Sequence, residues 1–268
     1  MKTGTTSGPI NLERLLARSE EHLPDYLSLT EGLSREMKGI RRSEMFFLYA
    51  SIADLAPVRI IESGRARAQS TLVLSSLFPK ASIISIEFDA ASPDIAVAAE
   101  RLKKRTNVEC RFGDSRLLLP ELLQAGDVIL IDGPKDFRAV KLALRLLRTG
   151  KPAVVFVHDL WLGSPVRCFV DRYLTTAFLS DHPEWVRRYS RLDSSSRIPP
   201  TSSGVVRRAY GATLACFTPA AENYSLRLFQ CGVAQVMERV RETLRKVCGR
   251  PPRIRPKDFA SLTGDSKG

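Results

Sequence analysis

The sequence predicts a doubly wound α/β domain built on a seven-stranded sheet, with N-terminal helices before it and a C-terminal helix after it. Two observations lead to this prediction. Five short apolar runs rich in β-branched residues alternate with amphipathic segments over residues 58–159. These runs are almost continuously apolar, as parallel strands covered by helices on both faces require. Two further segments, near residues 185–217, complete the seven predicted strands.

The composition suits a globular protein, since 44% of the 268 residues are hydrophobic and 26% are charged. We predict a helical extension over residues 1–42, the α/β domain over 43–220, an amphipathic helix over 221–249 and a disordered basic tail over 250–268. No apolar run is long enough to span a membrane, and the first residues lack the pattern of a signal peptide. The five cysteines form no CxxC pair, so a reducing, cytoplasmic location is expected.

The elements of the first two thirds follow from local patterns. Spaced leucines predict one or two helices over residues 10–40, broken near Pro24, and Ser43 is expected to cap a helix that runs to about Leu55. The five strands are predicted at Val58–Ile61, Ser82–Phe88, Val108–Phe112, Val128–Ile131 and Ala153–Val157. The helices that follow them are predicted at Ser70–Leu77, Ile95–Lys104, Leu117–Leu123 and Phe137–Leu147.

The last third is predicted to add a helix over Pro165–Phe178 and strands over Trp185–Leu192 and Gly211–Phe217, with a loop at Ser194–Gly204. Apolar residues then repeat at three- and four-residue steps over Leu226–Val247, which predicts an amphipathic helix. Its apolar stripe is expected to dock on the chain's own domain, because sequential elements usually pack together. A homodimer through the stripe is the alternative.

Polar residues follow all five predicted strands. In a doubly wound sheet, ligands bind beyond the carboxyl ends of the strands. Carboxylates at these ends can accept hydrogen bonds from a ligand, so we expect a binding site along this rim. The residues concerned are Glu62, Glu87, Asp114, Asp132, His158 and Asp159.

The segment from Glu62 to Thr71 resembles the first motif of class I S-adenosylmethionine (SAM) methyltransferases, in the E-x-G-x-x-x-G-x-S-T form of small-molecule and sugar O-methyltransferases. Gly64 allows the backbone to approach a ligand closely, and the start of the following helix offers amide donors. Ala68 stands where the motif has its second glycine. The resemblance implies a Rossmann-like methyltransferase sheet and a SAM site that includes Glu62, Gly64 and Ser70.

Two further motifs extend the resemblance. Glu87, at the end of the second strand, is implied to accept hydrogen bonds from the cofactor ribose, and Phe88 to pack on the adenine. The segment Phe112–Ser115 is similar to the adenine-edge motif of the family, which implies that Asp114 and Ser115 contact the adenine.

The fourth motif is similar to a D-G-x-H…H-D pattern, formed here by Asp132 and the pair His158-Asp159. It implies that Asp132 lies beside the reactive methyl group and that His158 is a candidate general base. Some family members bind a divalent metal at these strand ends, so Mg²⁺ held by Asp132 and Asp159 is the implied metal site. Lys135 stands where the family often has histidine, so this position supplies no histidine base, and the positive charge of the lysine would repel a metal ion.

The net charge of +12 is concentrated in residues 184–257, which hold 15 Lys/Arg against 5 Asp/Glu. This region is a candidate surface for an anionic partner, or a solvated helix face with a basic tail. The leading hypothesis is SAM-dependent O-methylation of a small molecule or glycan. The alternatives are an RNA methyltransferase that uses the basic last third, and a non-catalytic interaction protein on a degenerate methyltransferase fold.

Overall fold

The computed structural model describes residues 12–34, 39–193, 213–220 and 222–248. The predicted loop at Ser194–Gly204 and the predicted tail over residues 250–268 lie outside these ranges. No described helix combines the length and the apolar composition that crossing a membrane demands.

The structure opens with two helices that precede the sheet. Helix α1 spans Leu12–Leu29 and continues through Pro24, so the predicted break is wrong. Its C-terminal half is held by Tyr26, whose buried hydroxyl donates to the carbonyl oxygen of Arg42 at 2.8 Å. Helix α2 spans Arg42–Ile52 and a 3-10 turn follows at Ala53–Leu55. Ser43 is not its cap; Arg41 holds that position, and the Ser43 hydroxyl donates to Asp193 instead.

The seven strands form one mixed sheet in the order β3-β2-β1-β4-β5-β7-β6. Strands β1 to β5 are parallel, and β7 runs antiparallel to both of its neighbours. The predicted fold class is therefore confirmed. The strands are β1 (Arg59–Ser63), β2 (Ser82–Glu87), β3 (Val108–Phe112), β4 (Val128–Ile131), β5 (Val154–Val157), β6 (Phe178–Leu179) and β7 (Ala215–Phe217).

Helices cover both faces of the sheet. One core joins the inner residues of α1 and α2 to one face, and the other joins α6, α7 and α9 to the opposite face. Strands β1, β2, β4 and β5 are buried on both sides over most of their length, which explains their continuous apolar runs, whereas the edge strand β3 is largely exposed. The remaining helices are α3 (Gln69–Leu77), α4 (Asp94–Leu102), α5 (Ser115–Leu122), α6 (Phe137–Arg148), α7 (Pro165–Tyr173), α8 (Pro183–Tyr189) and α9 (Tyr224–Val247).

The segment predicted as a strand at Trp185–Leu192 is helical. Pro183 begins α8 and a 3-10 turn follows at Ser190–Asp193, while the sixth strand lies earlier, at Phe178–Leu179. Trp185 and Tyr189 are spaced by four residues and both pack on Phe46 of α2, with ring centroids 5.4 and 4.9 Å away. These two aromatic residues therefore lie on one face of a helix, although the aromatic composition of the segment favours a strand.

Helix α9 docks on the domain through a narrower face than its apolar stripe suggests. Cys231 is fully buried, and Leu228 and Ala234 pack against the core beside α6 and α7. The stripe itself stays open to solvent: Phe229 is 70% exposed and Val236 is 58% exposed. The helix is thus docked, while most of the stripe expected to dock is uncovered.

We expect Val236→Asp to leave the stability of the chain nearly unchanged, within about 0.5 kcal/mol, because the side chain already faces solvent. Cys231→Asp on the same helix is the matched control and should cost a few kcal/mol, since it buries an unpaired charge. Urea unfolding measures both. A loss at Val236 as large as the loss at Cys231, together with a change in sedimentation, would mean that a second copy of the chain covers the stripe.

Candidate functional site

The centre of the rim is the crevice between β1 and β4, where the strand order changes direction. The backbone turns after these two strands touch each other. Gly64 has a φ of +91°, and a Cβ placed on it would lie 2.7 Å from the amide nitrogen of Gly133 and 2.8 Å from the carbonyl carbon of Asp132. The amides of Asp132 and Gly133 both donate to the carbonyl oxygen of Ser63, at 2.9 and 3.1 Å. Gly64 is therefore needed for the two turns to meet at the site where such folds bind ligands.

Glu62 lies beneath this crevice and not on its exposed rim. Its side chain is fully buried, and Oε2 accepts hydrogen bonds from the hydroxyls of Thr71 and, at 2.9 Å, Ser85. Burial raises the pKa of the Glu62 carboxyl, although the hydroxyls that donate to it act in the opposite direction. Its second oxygen, Oε1, has no hydrogen-bond partner among the described residues.

The turn into α3 is crowded with polar groups. Ala68, at the position of the motif's second glycine, adopts the left-handed conformation with φ of +60°, and Ser70 is buried in the first turn of the helix. Arg65 is only 3% exposed and donates to the carbonyl oxygen of Ser85 at 2.7 Å. Its guanidinium also lies over the ring of Phe112, 4.8 Å from the centroid. Sequence reasoning missed Arg65, because nothing in its spacing distinguishes a buried arginine from an exposed one.

The end of β2 places Glu87 beside the turn that follows β1. Its carboxylate accepts from the amide of Ala66 at 2.6 Å and from the amide of Phe88 at 2.8 Å. Phe88 itself is 72% exposed, which is unusual for a large aromatic ring next to a charged rim. The structure therefore brings Glu87 and an open aromatic face to the same edge as Gly64.

The end of β3 carries Asp114 and Ser115. Asp114 caps α5 and its carboxylate pairs with Arg116, whose Nη2 lies 2.5 Å from Oδ2. Hydrogen bonds from Arg116 lower the pKa of Asp114. The Ser115 hydroxyl donates to the carbonyl oxygen of Gly133 at 3.0 Å, so this side chain braces the turn after β4. Asp114 and Ser115 thus both have protein partners.

A chain of charged groups lies on the other side of the crevice, at the ends of β4 and β5. His158 is 5% exposed and contacts a carboxylate through each ring nitrogen. Nδ1 lies 2.7 Å from Asp132 Oδ1, and Nε2 lies 3.4 Å from Glu44 Oε2. Glu44 is fully buried and also accepts from the amide of Arg41 at 3.0 Å. With both nitrogens engaged, His158 is positioned as a charged bridge between two carboxylates.

The pKa values of this chain of groups depend on one another. Burial by itself would lower the pKa of His158, but Asp132 and Glu44 outweigh it and raise the pKa well above the ordinary value of 6.5. Burial would raise the pKa of Asp132, but His158 and Lys135 lower it below its ordinary value. Burial raises the pKa of Glu44, and His158 offsets this only in part. The geometry thus favours an imidazolium at His158 and does not favour its use as a general base.

Lys135 completes the cluster. Its ammonium pairs with Asp132 Oδ1 and lies 2.5 Å from Asp159 Oδ2. Asp132, His158 and Asp159 each offer a ligand atom, and these atoms lie within 4.8 Å of one another. Such a group could hold a metal ion, but Lys135 already bridges its two carboxylates. Mg²⁺ therefore does not fit this arrangement.

Glu44 belongs to the site although it comes from a helix ahead of the sheet. The start of α2 is fixed by Asp193, which accepts from the amide of Ser43 at 3.1 Å, and by Trp185, whose indole donates to the Ser43 carbonyl oxygen at 3.2 Å. One signal in the sequence could have identified it. Glu44 is an isolated acidic residue at the start of the otherwise apolar run Met45–Ile52, where a buried carboxylate needs a specific partner.

No protein family model and no curated protein matches the sequence. Several solved structures are similar in fold. One is the O-methyltransferase TomG from Streptomyces achromogenes in complex with SAM (18% identity, 81% of this chain and 94% of that chain covered, TM-score 0.43). Another is an O-methyltransferase from Bacillus cereus in complex with S-adenosylhomocysteine (15% identity, 80% and 93% covered, TM-score 0.44). A third is the Podospora anserina methyltransferase PaMTH1, also with S-adenosylhomocysteine (17% identity, 80% and 98% covered, TM-score 0.42).

Proposed function

We propose that this chain is a SAM-dependent methyltransferase that methylates an oxygen of a small molecule or glycan. The observation that carries the proposal is the crevice between β1 and β4. There, the close backbone contact at Gly64, the carboxylate of Glu87 and the exposed ring of Phe88 share one edge of the sheet. Bound SAM would supply a methyl group on a sulfonium, and the protein would supply binding and orientation.

The fit of a polar cofactor is supported by buried polar atoms around the turn into α3. Glu62 Oε1, Arg65 Nε and Gln69 Oε1 have no hydrogen-bond partner among the described residues. Buried polar groups are normally paired, and an unpaired one calls for an explanation such as a ligand or a water molecule. We propose that Glu62, Gly64, Ser70, Glu87, Phe88, Asp114 and Ser115 form or support the cofactor side of the site.

On the acceptor side, we propose that Asp132 and His158 shape the charge around the reacting oxygen. His158 holds Asp132 in place from one side, and Glu44 holds His158 from the other. Glu44 is thus a positioning residue, since it acts through the imidazole. Fixed charges of this kind stabilise developing charge without needing to reorganise during the reaction.

A non-catalytic role is the second candidate, and two contacts favour it. The Arg65 side chain lies buried where the turn into α3 begins, and Arg116 pairs with the Asp114 carboxylate that a cofactor would need. Both arginines would have to keep or exchange these partners when a cofactor binds. Direct measurement of SAM binding separates the two candidates.

We expect isothermal titration with SAM to give measurable heat, and Glu87→Gln to weaken binding roughly 10- to 100-fold, because the variant loses a charged acceptor. Glu109→Gln is the matched control. It removes a carboxylate from the neighbouring strand β3 that pairs with Arg111 away from the crevice, and SAM binding should be unchanged. No heat and no thermal shift at millimolar SAM would rule out the methyltransferase proposal and leave the non-catalytic one.

A further inference from the structure

The cluster at the ends of β4 and β5 contains a cation that belongs to the chain. The ammonium of Lys135 pairs with Asp132 and, at 2.5 Å, with Asp159, while His158 contacts Asp132 from the opposite side. Two carboxylates and an imidazole arranged in this way are a suitable ligand set for a divalent cation. Between the carboxylates, where such an ion would have to lie, the structure has the lysine side chain.

The balance of charge supports the same conclusion. Asp132 and Asp159 bring two negative charges, and the Lys135 ammonium that pairs with both of them brings one positive charge. A divalent ion added to this cluster would have to displace the ammonium from both carboxylates. With Lys135 in place, the cluster therefore disfavours a metal by repulsion as well as by occupied space.

We infer that Lys135 is a tethered cation that replaces a divalent metal ion in this site, and that it binds a single oxygen of the methyl acceptor. This inference rests on the proposed methyltransferase function. An ammonium has three N–H donors, and the two carboxylates engage two of them. The side chain is 41% exposed, so the third donor is within reach of a ligand.

The chemistry of one ammonium differs from that of a metal ion. A metal with open coordination positions can chelate two neighbouring oxygens, whereas one N–H donor holds one oxygen. The acceptor class that fits is therefore a molecule with one acidic hydroxyl, such as a phenol. Its proton leaves to water, the ammonium stabilises the oxyanion, and an oxygen electron pair forms the O–C bond as the S–C bond of the sulfonium breaks.

The test compares the wild type, Lys135→Ala and the double variant Lys135→Ala/Asp159→Ala by thermal unfolding with EDTA or Mn²⁺. We expect Mn²⁺ to leave the Tm of the wild type unchanged, and to raise the Tm of Lys135→Ala by several degrees because the emptied carboxylate pair then binds the ion. The double variant should not respond. Lys141→Ala, which removes a lysine on α6 that contacts Gln235 outside the cluster, should behave as the wild type does.

Two results would overturn the inference. One is an equal Mn²⁺ shift in the wild type and in Lys135→Ala, which would show that a metal displaces the lysine. The other is an absent shift in Lys135→Ala, which would show that the carboxylates are not poised around a cation. Methylation of catechol by the wild type that depends on added Mg²⁺ would also contradict it. Titration of SAM into the same variants separates this question from the proposed function, since a failure of SAM binding leaves the Mn²⁺ responses readable.

Discussion

Replacing Gly64 by alanine should disrupt both the fold and the candidate site, with a loss of roughly 2–5 kcal/mol in the free energy of unfolding. Two costs add. The φ of +91° is unfavourable for any residue with a side chain, and the new Cβ would lie within 2.8 Å of backbone atoms of Gly133 and Asp132. Because the obstructing atoms are backbone, the turn after β4 must move as a whole. SAM binding should be lost with it.

Gly126→Ala is the control that separates these two costs. Gly126 has a φ of +86°, almost the same as Gly64, but a Cβ on it would meet no atom within 4 Å. The stability lost by the Gly126→Ala variant should therefore reflect conformational strain alone, about 1–2 kcal/mol. Urea unfolding measures the free energy of unfolding of both variants. The difference between their losses is the cost of the contact between a Cβ on residue 64 and the backbone of Asp132 and Gly133. Equal losses would contradict a close approach between the turns after β1 and β4.

Replacing His158 by alanine should cost about 3–5 kcal/mol, because it leaves Glu44 as a buried carboxylate without its imidazolium partner. His182→Asn provides the comparison. His182 caps α8 by accepting from the amide of Glu184 at 3.3 Å, outside the charged cluster, and asparagine can also cap a helix. That control should lose no more than about 1 kcal/mol.

The effect at His158 should depend on pH with a definite sign. Its pKa is raised in the folded chain, so the native state keeps a proton that the unfolded chain loses above about 6.5. The stabilisation is therefore complete below this pH and is lost as pH rises through the folded pKa. Asp132 has the opposite sign, since its lowered pKa gives a stabilisation that is lost on acidification below about 3.8.

Glu44 also contributes to the pH dependence of stability, and its contribution begins at a lower pH. Its raised pKa means that the buried carboxylate costs stability above about 4.5, and the loss of the imidazolium increases this cost. The deficit of His158→Ala should have its full size near pH 6.5 and should shrink as the pH rises through the folded pKa of His158, because the wild type then loses its own stabilisation. Chemical unfolding at a series of pH values measures this. A deficit that stays constant over the range would mean that His158 is neutral in the native state.

The sheet was predictable from the sequence because each parallel strand is defined locally. A strand such as Val128–Ile131 that is buried on both faces must be continuously apolar. The polar turn residues directly after it mark where the strand ends. The parallel order then brings the strand ends to one edge, so the proximity of Glu87, Asp132 and His158 to the crevice followed from the topology alone. The prediction of a strand at Trp185–Leu192 was wrong because the aromatic residues of this segment contact helix α2, which is far away in the sequence. The local composition contains no information about such a partner.

What the sequence alone determined, then, is the five parallel strands and the polar residues that follow them. Only the tertiary structure decided the direction of each side chain: Glu62 points into the interior, and Lys135 bridges two carboxylates. Only the tertiary structure brought Glu44 to His158, 114 residues further along the chain. The physical reason is that the period of a strand or helix fixes which face a residue occupies, whereas its charge partner depends on the packing of elements that are distant in sequence.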